Sequence, residues 1–304
     1  MSPTDPAARQ RATLLVLATY LIWGAFPLYF KLLAAAGALE VIGYRIVFTA
    51  ATCLVLVSVT RSWPKVAAVL RSPRQLGTFI ASGLLITLNW LTYVYGVNSG
   101  HAADAALGYF INPLVTVALA AAVLGERLRR YQGVAIGLAG LAVVVMVVMQ
   151  GTLPWISLAL ALTFGLYGLV KHEATADALT GLTVESLVVT PLELGYLVWL
   201  AATGGSVLQG AEGSAGLAVL LVAAGPVTAV PLLLFASGAR DVPLTTVGLV
   251  QFVSPIIQFL MAWAVFHEEI SAGRWTAMVL VWVAVLVFCA DLVLQARRRP
   301  RVRG

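Results

Sequence analysis

The run Leu107–Glu126 reads L-G-Y-F-I-N-P-L-V-T-V-A-L-A-A-A-V-L-G-E, apolar except for Asn112 and small hydroxyls, with Pro113 inside it and Glu126 at its end. A helix of about 20 residues rises about 30 Å, the thickness of a hydrocarbon layer. A second copy follows at a fixed shift of 142 positions. Leu107 falls on Leu249, Pro113 on Pro255, Ala122 on Ala264 and Glu126 on Glu268. The same shift places Gly83 on Gly225, Gly96 on Gly238 and Val143 on Val285. In so apolar a chain matching alanines or valines carry little weight. Matching Gly, Pro and Glu at one offset indicates a duplication.

The composition fits this reading. Apolar residues make up 61% of the 304 and charged ones 11%, with a mean hydropathy of +0.95. A soluble globular domain is about half apolar and about a quarter charged, so the chain reads as a polytopic membrane protein. Its net charge of +6 sits in loops and termini. That is a membrane-orientation pattern and not a nucleic-acid stripe. Cys53 and Cys289 each lie alone in apolar runs, which suggests neither a disulfide framework nor a metal site.

Ten apolar segments can be marked, at 13–34, 39–60, 77–98, 104–124, 131–150, 153–171, 180–202, 215–238, 244–266 and 273–294. The first is too long for a signal peptide and carries Pro27 and Lys31, so it is expected to be retained as a span. The longer connections are the basic stretch Arg61–Gln75 and the Gly/Ser-rich Thr203–Gly216. Expected is an all-α integral membrane protein whose residues 1–150 and 151–304 each supply five transmembrane helices. Five is odd, so the second half runs inverted with respect to the first.

Orientation follows from Lys and Arg. With the N-terminus inside, the inner loops and tails hold Arg9, Arg11, Arg61, Lys65, Arg71, Arg74, Arg127, Arg129, Arg130, Lys171, Arg240, Arg297, Arg298, Arg299, Arg301 and Arg303, which is 16 of the 19 cations. Lys31, Arg45 and Arg274 remain for the membrane or the outer side. Both termini are expected in the cytoplasm. Glu126 would cap its helix on the inner side and Glu268 its helix on the outer side. Inverted repeats of this kind rock about a site at mid-membrane.

An inverted five-plus-five duplication with a Pro-containing helix ending in Gly-Glu resembles the drug/metabolite transporter superfamily, EamA type. Finer features resemble its RarD subfamily: Ile22-Trp23-Gly24, Tyr29-Phe30-Lys31-Leu32, Asn89-Trp90, Leu107-Gly-Tyr-Phe-Ile-Asn-Pro-Leu114, Gly125-Glu-Arg127 and Tyr167-Gly-Leu-Val-Lys171. The match runs nearly end to end. It implies an inner-membrane permease, of a group often labelled as linked to chloramphenicol sensitivity. One departure is His267-Glu268-Glu269 where the first half has Gly125-Glu126-Arg127.

Ionisable groups within apolar helices usually face a bundle interior, a partner or a water-filled path. Lys31, four residues after Pro27, either snorkels outward or joins a site. Arg45 lies two turns into the second segment, roughly 9 Å below its outer end, and is expected to bind solute or a counter-ion. Glu40 is on a different face of that helix from Arg45, which leaves Lys31 as its expected partner. On the inner side, Lys171 reads more readily as a loop charge and Glu185 as a gate or partner. Glu193, next to Thr190-Pro191, should hold its proton when buried, either as a proton-coupling site or as packing.

Asn89, Tyr93, Tyr109, Asn112, Gln251 and Gln258 are mid-helix polar residues. Several precede Pro113 and Pro255, which should break their helices and bare carbonyls toward a cavity; each residue alone is equally an interhelical hydrogen bond. Trp23, Phe26, Trp90, Tyr167 and Trp263 offer stacking surfaces for an aromatic or lipophilic solute, Trp90 at mid-span. Gly133-x-x-x-Gly137 suits close helix packing, or, less often, a homodimer seam. His101, His172 and His267 stand at segment ends and form no metal spacing; no Walker loop is present, so no cofactor is expected.

The expected partners are a small-molecule solute and membrane lipid, with no nucleic acid. The expected function is a plasma-membrane permease working by alternating access. An intramembrane transferase acting on lipid-linked substrates, or a non-transporting receptor, is the alternative. A transferase would need its polar residues gathered at one face, whereas these mirror across both halves.

Overall fold

The computed structural model describes residues 6–125, 127–172, 174–239 and 242–298, and every regular element among them is helical. In order these are α1 (Pro6–Lys31), α2 (Ala38–Val59), α3 (Trp63–Leu70), α4 (Pro73–Asn98), α5 (Ala102–Leu124), α6 (Arg130–Gln150), α7 (Trp155–Lys171), α8 (Ala178–Ala202), α9 (Ala215–Gly238), α10 (Leu244–Val250), α11 (Val253–Leu260) and α12 (Ala272–Arg298). A 3-10 turn, Val207–Gln209, follows α8, and a π-helical turn, Met261–Val265, continues α11.

Nine spans among the described residues are long and apolar enough to cross a membrane, with α10, α11 and the π turn acting together as one of them. The sixth expected segment, α7, is apolar but has only 17 residues. The chain is therefore a multi-pass helical membrane protein. Glu126, Arg240, Arg299, Arg301 and Arg303 lie outside the described residues.

Side-chain contacts sort the helix ends into two faces. At one, Lys65 pairs with Asp177 at 2.8 Å, Arg129 with Asp291 at 3.3 Å and Lys171 with Glu185 at 3.0 Å. This is the basic face, and the amphipathic α3 lies there with Val66 and Val69 turned inward. That helix occupies what the sequence reads as a basic connection. At the opposite face Arg274 pairs with Asp104 at 2.9 Å and Gln150 meets Ser271.

The helices pack in a reciprocal pattern. α2 lies against α8, and α6 against α12. α4 packs on α7 and α8, while α9 packs on α1 and α2; α5 packs on α7, while α11 packs on α1. Small residues set the closest approaches, as expected where lipid supplies no hydrophobic drive between helices. At Gly225 a Cβ would overlap the Phe48 backbone and lie 2.6 Å from Thr49 N, so only glycine lets α9 reach α2. At Gly83 a Cβ would stand 3.1 Å from the Glu185 carbonyl of α8.

Two expectations are corrected here. Pro113 does not break its helix: α5 continues from Ala102 to Leu124 through it. The break belongs to the second half, where Gln251 and Phe252 separate α10 from α11 and Pro255 occupies the first turn of α11. A proline there has no N–H to return to the carbonyl four residues earlier, that of Gln251. In addition, Gly133 and Gly137 face outward, and a Cβ on either would meet nothing within 4 Å. α6 meets α12 through Ala135, Ala139, Ala142 and Met146 instead.

Candidate functional site

Arg45 is 3% exposed within the bundle. Its Nε donates to Thr228 Oγ1 at 2.8 Å, and Thr228 in turn donates to the Ala224 carbonyl at 2.7 Å, which fixes the direction of both bonds. Its guanidinium lies 4.0 Å from the centre of the Trp90 ring, 5.2 Å from Phe30 and 5.9 Å from Phe26. Such cation–π contacts partly replace water around a desolvated cation. Arg45 Nη1 is buried and has no hydrogen-bond acceptor among the described residues.

The aromatic wall extends from there. Phe30 packs edge-on to Tyr93 with ring centres 5.9 Å apart, and Tyr93 sits 5.3 Å from Tyr109. Tyr109 donates to Asn89 Oδ1 at 3.3 Å, while Asn89 Nδ2 donates to Thr163 Oγ1 at 2.9 Å and to the Leu160 carbonyl at 3.0 Å. The Tyr93 hydroxyl is buried without a hydrogen-bond partner among the described residues. α1, α2, α4, α5 and α9 thus meet around one cation, and the polar network runs on into α7.

Of the sequence candidates, Arg45, Asn89, Trp90 and Tyr109 come together. Asn112 lies one turn further along α5, buried, with Oδ1 unpartnered. Gln251 does not join them; it donates to the Gly248 carbonyl at 3.0 Å within its own turn. Gln258 ties α11 to α1 through the Trp23 carbonyl at 3.0 Å.

Glu40 and Lys31 are not partners. Glu40 accepts from Ser206 Oγ at 2.7 Å and from Val207 N at 3.2 Å, holding the 3-10 turn at the opposite face. Lys31 is exposed and stands over the Phe266 ring at 5.5 Å. The stacking candidates divide as well: Trp23 packs with Tyr20 and Phe235, and Trp263 is half exposed beside Trp275.

Glu185 is 3% exposed, accepts from Ser82 Oγ at 2.6 Å and pairs with Lys171, which stands over Phe79 and Tyr167. Lys171 is thus an ion-pair partner for a buried carboxylate, although its sequence position at a segment end favours a loop charge. Glu193 is buried on the side of α8 that carries Ser186 and Val189, with no hydrogen-bond partner among the described residues.

Glu268 does not cap its own helix. Its two carboxylate oxygens accept the backbone N–H groups of Ala102 and Ala103 at 2.8 and 3.0 Å, at the start of α5. Within the same first turn, Asp104 holds Arg274, and its carbonyl accepts from Ser157 Oγ at 2.6 Å. Thr228, Ser82 and the Asp104–Arg274 pair were missed in the sequence. A signal existed only for the pair: each is a charge at the edge of an apolar segment.

These features define a multi-pass helical membrane protein with a buried cationic centre. The EamA-like transporter family model matches residues 10–148. A relative named Protein RarD from Streptomyces exfoliatus is 42% identical over 284 residues, covering 93% of this chain and 89% of that one. An uncharacterized transporter from Vibrio cholerae is 38% identical over 303 residues, covering 100% of this chain and 99% of its own length. A crystal structure aligns at 18% identity with a TM-score of 0.58, spanning 94% of this chain and 99% of that chain, a likeness of fold alone. The chain belongs to the EamA-type transporters, in their RarD subfamily.

Proposed function

We propose that this chain carries a small organic solute across the plasma membrane by alternating access, as a permease and not an enzyme. Its halves would be inverted five-helix repeats divided near residue 150, with both termini in the cytoplasm and the basic face inward. The observation that carries this reading is a reciprocity among the close helix contacts. A Cβ on Gly24 of α1 would meet Ile257 of α11 at 2.9 Å, and one on Gly165 of α7 would meet Leu119 and Val115 of α5 at 2.9 and 3.2 Å. Within one position, the pairs Gly24–Ile257 and Gly165–Val115 interconvert under the 142 shift. Gly96 against Ile156 and Gly238 against Leu15 repeat the relation at 3.3 and 3.1 Å. Two similar halves interlocked in this way are the geometry of a rocking transporter.

The ends support the same reading. Glu268 and Asp104–Arg274 close the opposite face, and Lys171–Glu185–Ser82 closes the basic face, with Arg45 between them. Opening one closure at a time would expose the centre to one side. Uptake and efflux of a metabolite panel in vesicles, with and without a pH gradient, tests the activity. Flux of no solute in either direction would sink it. Orientation is tested with single cysteines at Arg71 and Gly210 in a chain lacking Cys53 and Cys289; labelling of both from one side overturns the topology.

A further inference from the structure

We infer that the solute is a small organic acid, whose carboxylate is received by Arg45 Nη1 and the Tyr93 hydroxyl while its apolar or aromatic body lies against Trp90 and Tyr109. This rests on the transport reading above and adds the chemical class of its cargo. A guanidinium carries five N–H donors in a planar fork and stays charged in proteins. In a bilayer interior such a group is held by a carboxylate, by backbone carbonyls or by a polar solute. Here no carboxylate pairs with Arg45 among the described residues. The acidic residue nearest in sequence, Glu40, is occupied by Ser206 and Val207. Thr228 takes Nε, and aromatic rings cover the flat faces.

Of the donors that remain, Nη1 is buried and meets no acceptor among the described residues. Arg45 Nη1 and the Tyr93 hydroxyl are both buried and, among the described residues, both without a hydrogen-bond partner, and the Phe30 ring packs against the guanidinium on one side and the Tyr93 ring on the other. Buried donors are rarely left unmade, and two beside one uncompensated cation specify an acceptor with negative charge. A carboxylate supplies it, with lone pairs for both donors. A neutral amide of the same shape could accept the hydrogen bonds but would leave the cation uncompensated. An amine would meet like charge. At 3% exposure Arg45 is out of reach of a lipid headgroup, so the anion must be small enough to enter the bundle.

The test uses the purified full-length chain and three probes of one shape: phenylpropionate, phenylpropionamide and phenylpropylamine, with benzoate and acetate as shorter acids. Equilibrium dialysis of labelled phenylpropionate, with the others as competitors, should show the acid binding at least about tenfold more tightly than the amide or the amine. Arg45→Lys keeps the charge but loses the fork and should weaken acid binding about tenfold. Arg45→Gln should abolish it. Tyr93→Phe removes one hydroxyl from an otherwise unchanged ring and should weaken the acid about three- to tenfold at an unchanged melting temperature. That variant decides the matter if Arg45→Gln fails to fold.

Equal binding of acid and amide overturns the inference. So does undiminished acid binding by Arg45→Gln, or no saturable binding of any of the three acids by the natural chain. Vesicle flux separates the two readings: acid binding without flux refutes transport alone, and flux of neutral or cationic solutes indifferent to Arg45→Lys refutes the organic-acid assignment alone.

Discussion

The carboxylate of Glu268 receives the backbone N–H of Ala102 at 2.8 Å, across 166 positions of sequence. His267, immediately before it, has φ of 53°, in the left-handed region that a histidine seldom occupies, and this turns the chain back toward α5. Glu268 thereby caps the start of a helix in the other half, where free N–H groups and the helix dipole both favour negative charge. Glu268→Gln preserves shape and removes charge. It should destabilise the chain by about 1 kcal/mol, and Glu268→Ala by about 1–2 kcal/mol. Melting curves check this; an unchanged melting temperature in both variants would show that the cap contributes nothing.

The two prolines should part company. The carbonyl of Gln251 faces a proline and the chain turns there between α10 and α11, so Pro255→Ala lets the two helices join and should slow flux severalfold. Pro113 lies inside a helix that is already continuous. Its replacement by alanine should raise stability by about 1–3 kcal/mol, since an interior proline costs about 3 kcal/mol, and should change flux less than Pro255→Ala does. Paired flux and melting measurements decide; equal rates in Pro255→Ala and the natural chain would remove the break from the mechanism.

Legibility in the sequence followed the physics of each feature. Span positions were readable because hydropathy is a local signal. The convergence of Arg45, Asn89, Trp90 and Tyr109 was readable in part, because polar groups in apolar helices turn inward. What they meet there was not: Thr228 lies 183 positions from Arg45 and carries no mark among so many threonines. The same holds for partners of carboxylates. Lys31 looked right for Glu40 by charge and proximity in sequence, yet a backbone N–H and a serine 166 positions away take its place. Identical prolines gave one break and one unbroken helix, because neighbouring packing decides how a missing N–H is absorbed.

Asp177 gives a pH-dependent prediction on the basic face. Partial burial acts against its charge, but hydrogen bonds from Lys65 and from Thr180 N–H outweigh that and hold the carboxyl below the usual carboxylate range. A lowered folded-state value means stability that is present above the unfolded-state value of about 3.9 and lost as pH falls through the folded one. The Lys65 side chain is 63% exposed, so screening leaves most of the effect with the N-cap. Asp177→Ala should cost about 1 kcal/mol between about pH 6 and 8, and the deficit should shrink below about pH 4. A deficit that grew on acidification would contradict the assignment.

Lys171 and Glu185 give the clearest separation of structure from mechanism. Glu185 is almost fully enclosed, while the Lys171 side chain is 27% exposed at the end of α7, 3.0 Å away. Removing only the lysine leaves a buried carboxylate with only the neutral hydroxyls of Ser82 and Tyr167 beside it. Lys171→Met should therefore destabilise by about 2–3 kcal/mol, somewhat below the 3–5 kcal/mol of a fully buried pair. Replacing both residues by methionine removes the stranded charge and should bring stability back to within about 1 kcal/mol of the natural chain. If the pair only holds helices together, transport should return with stability. If it is the closure of the basic face, the double variant should melt normally and still carry solute slowly, because an apolar contact cannot exchange its partners for water as the face opens. Normal flux in a normally stable double variant would make the pair structural and place the closure elsewhere.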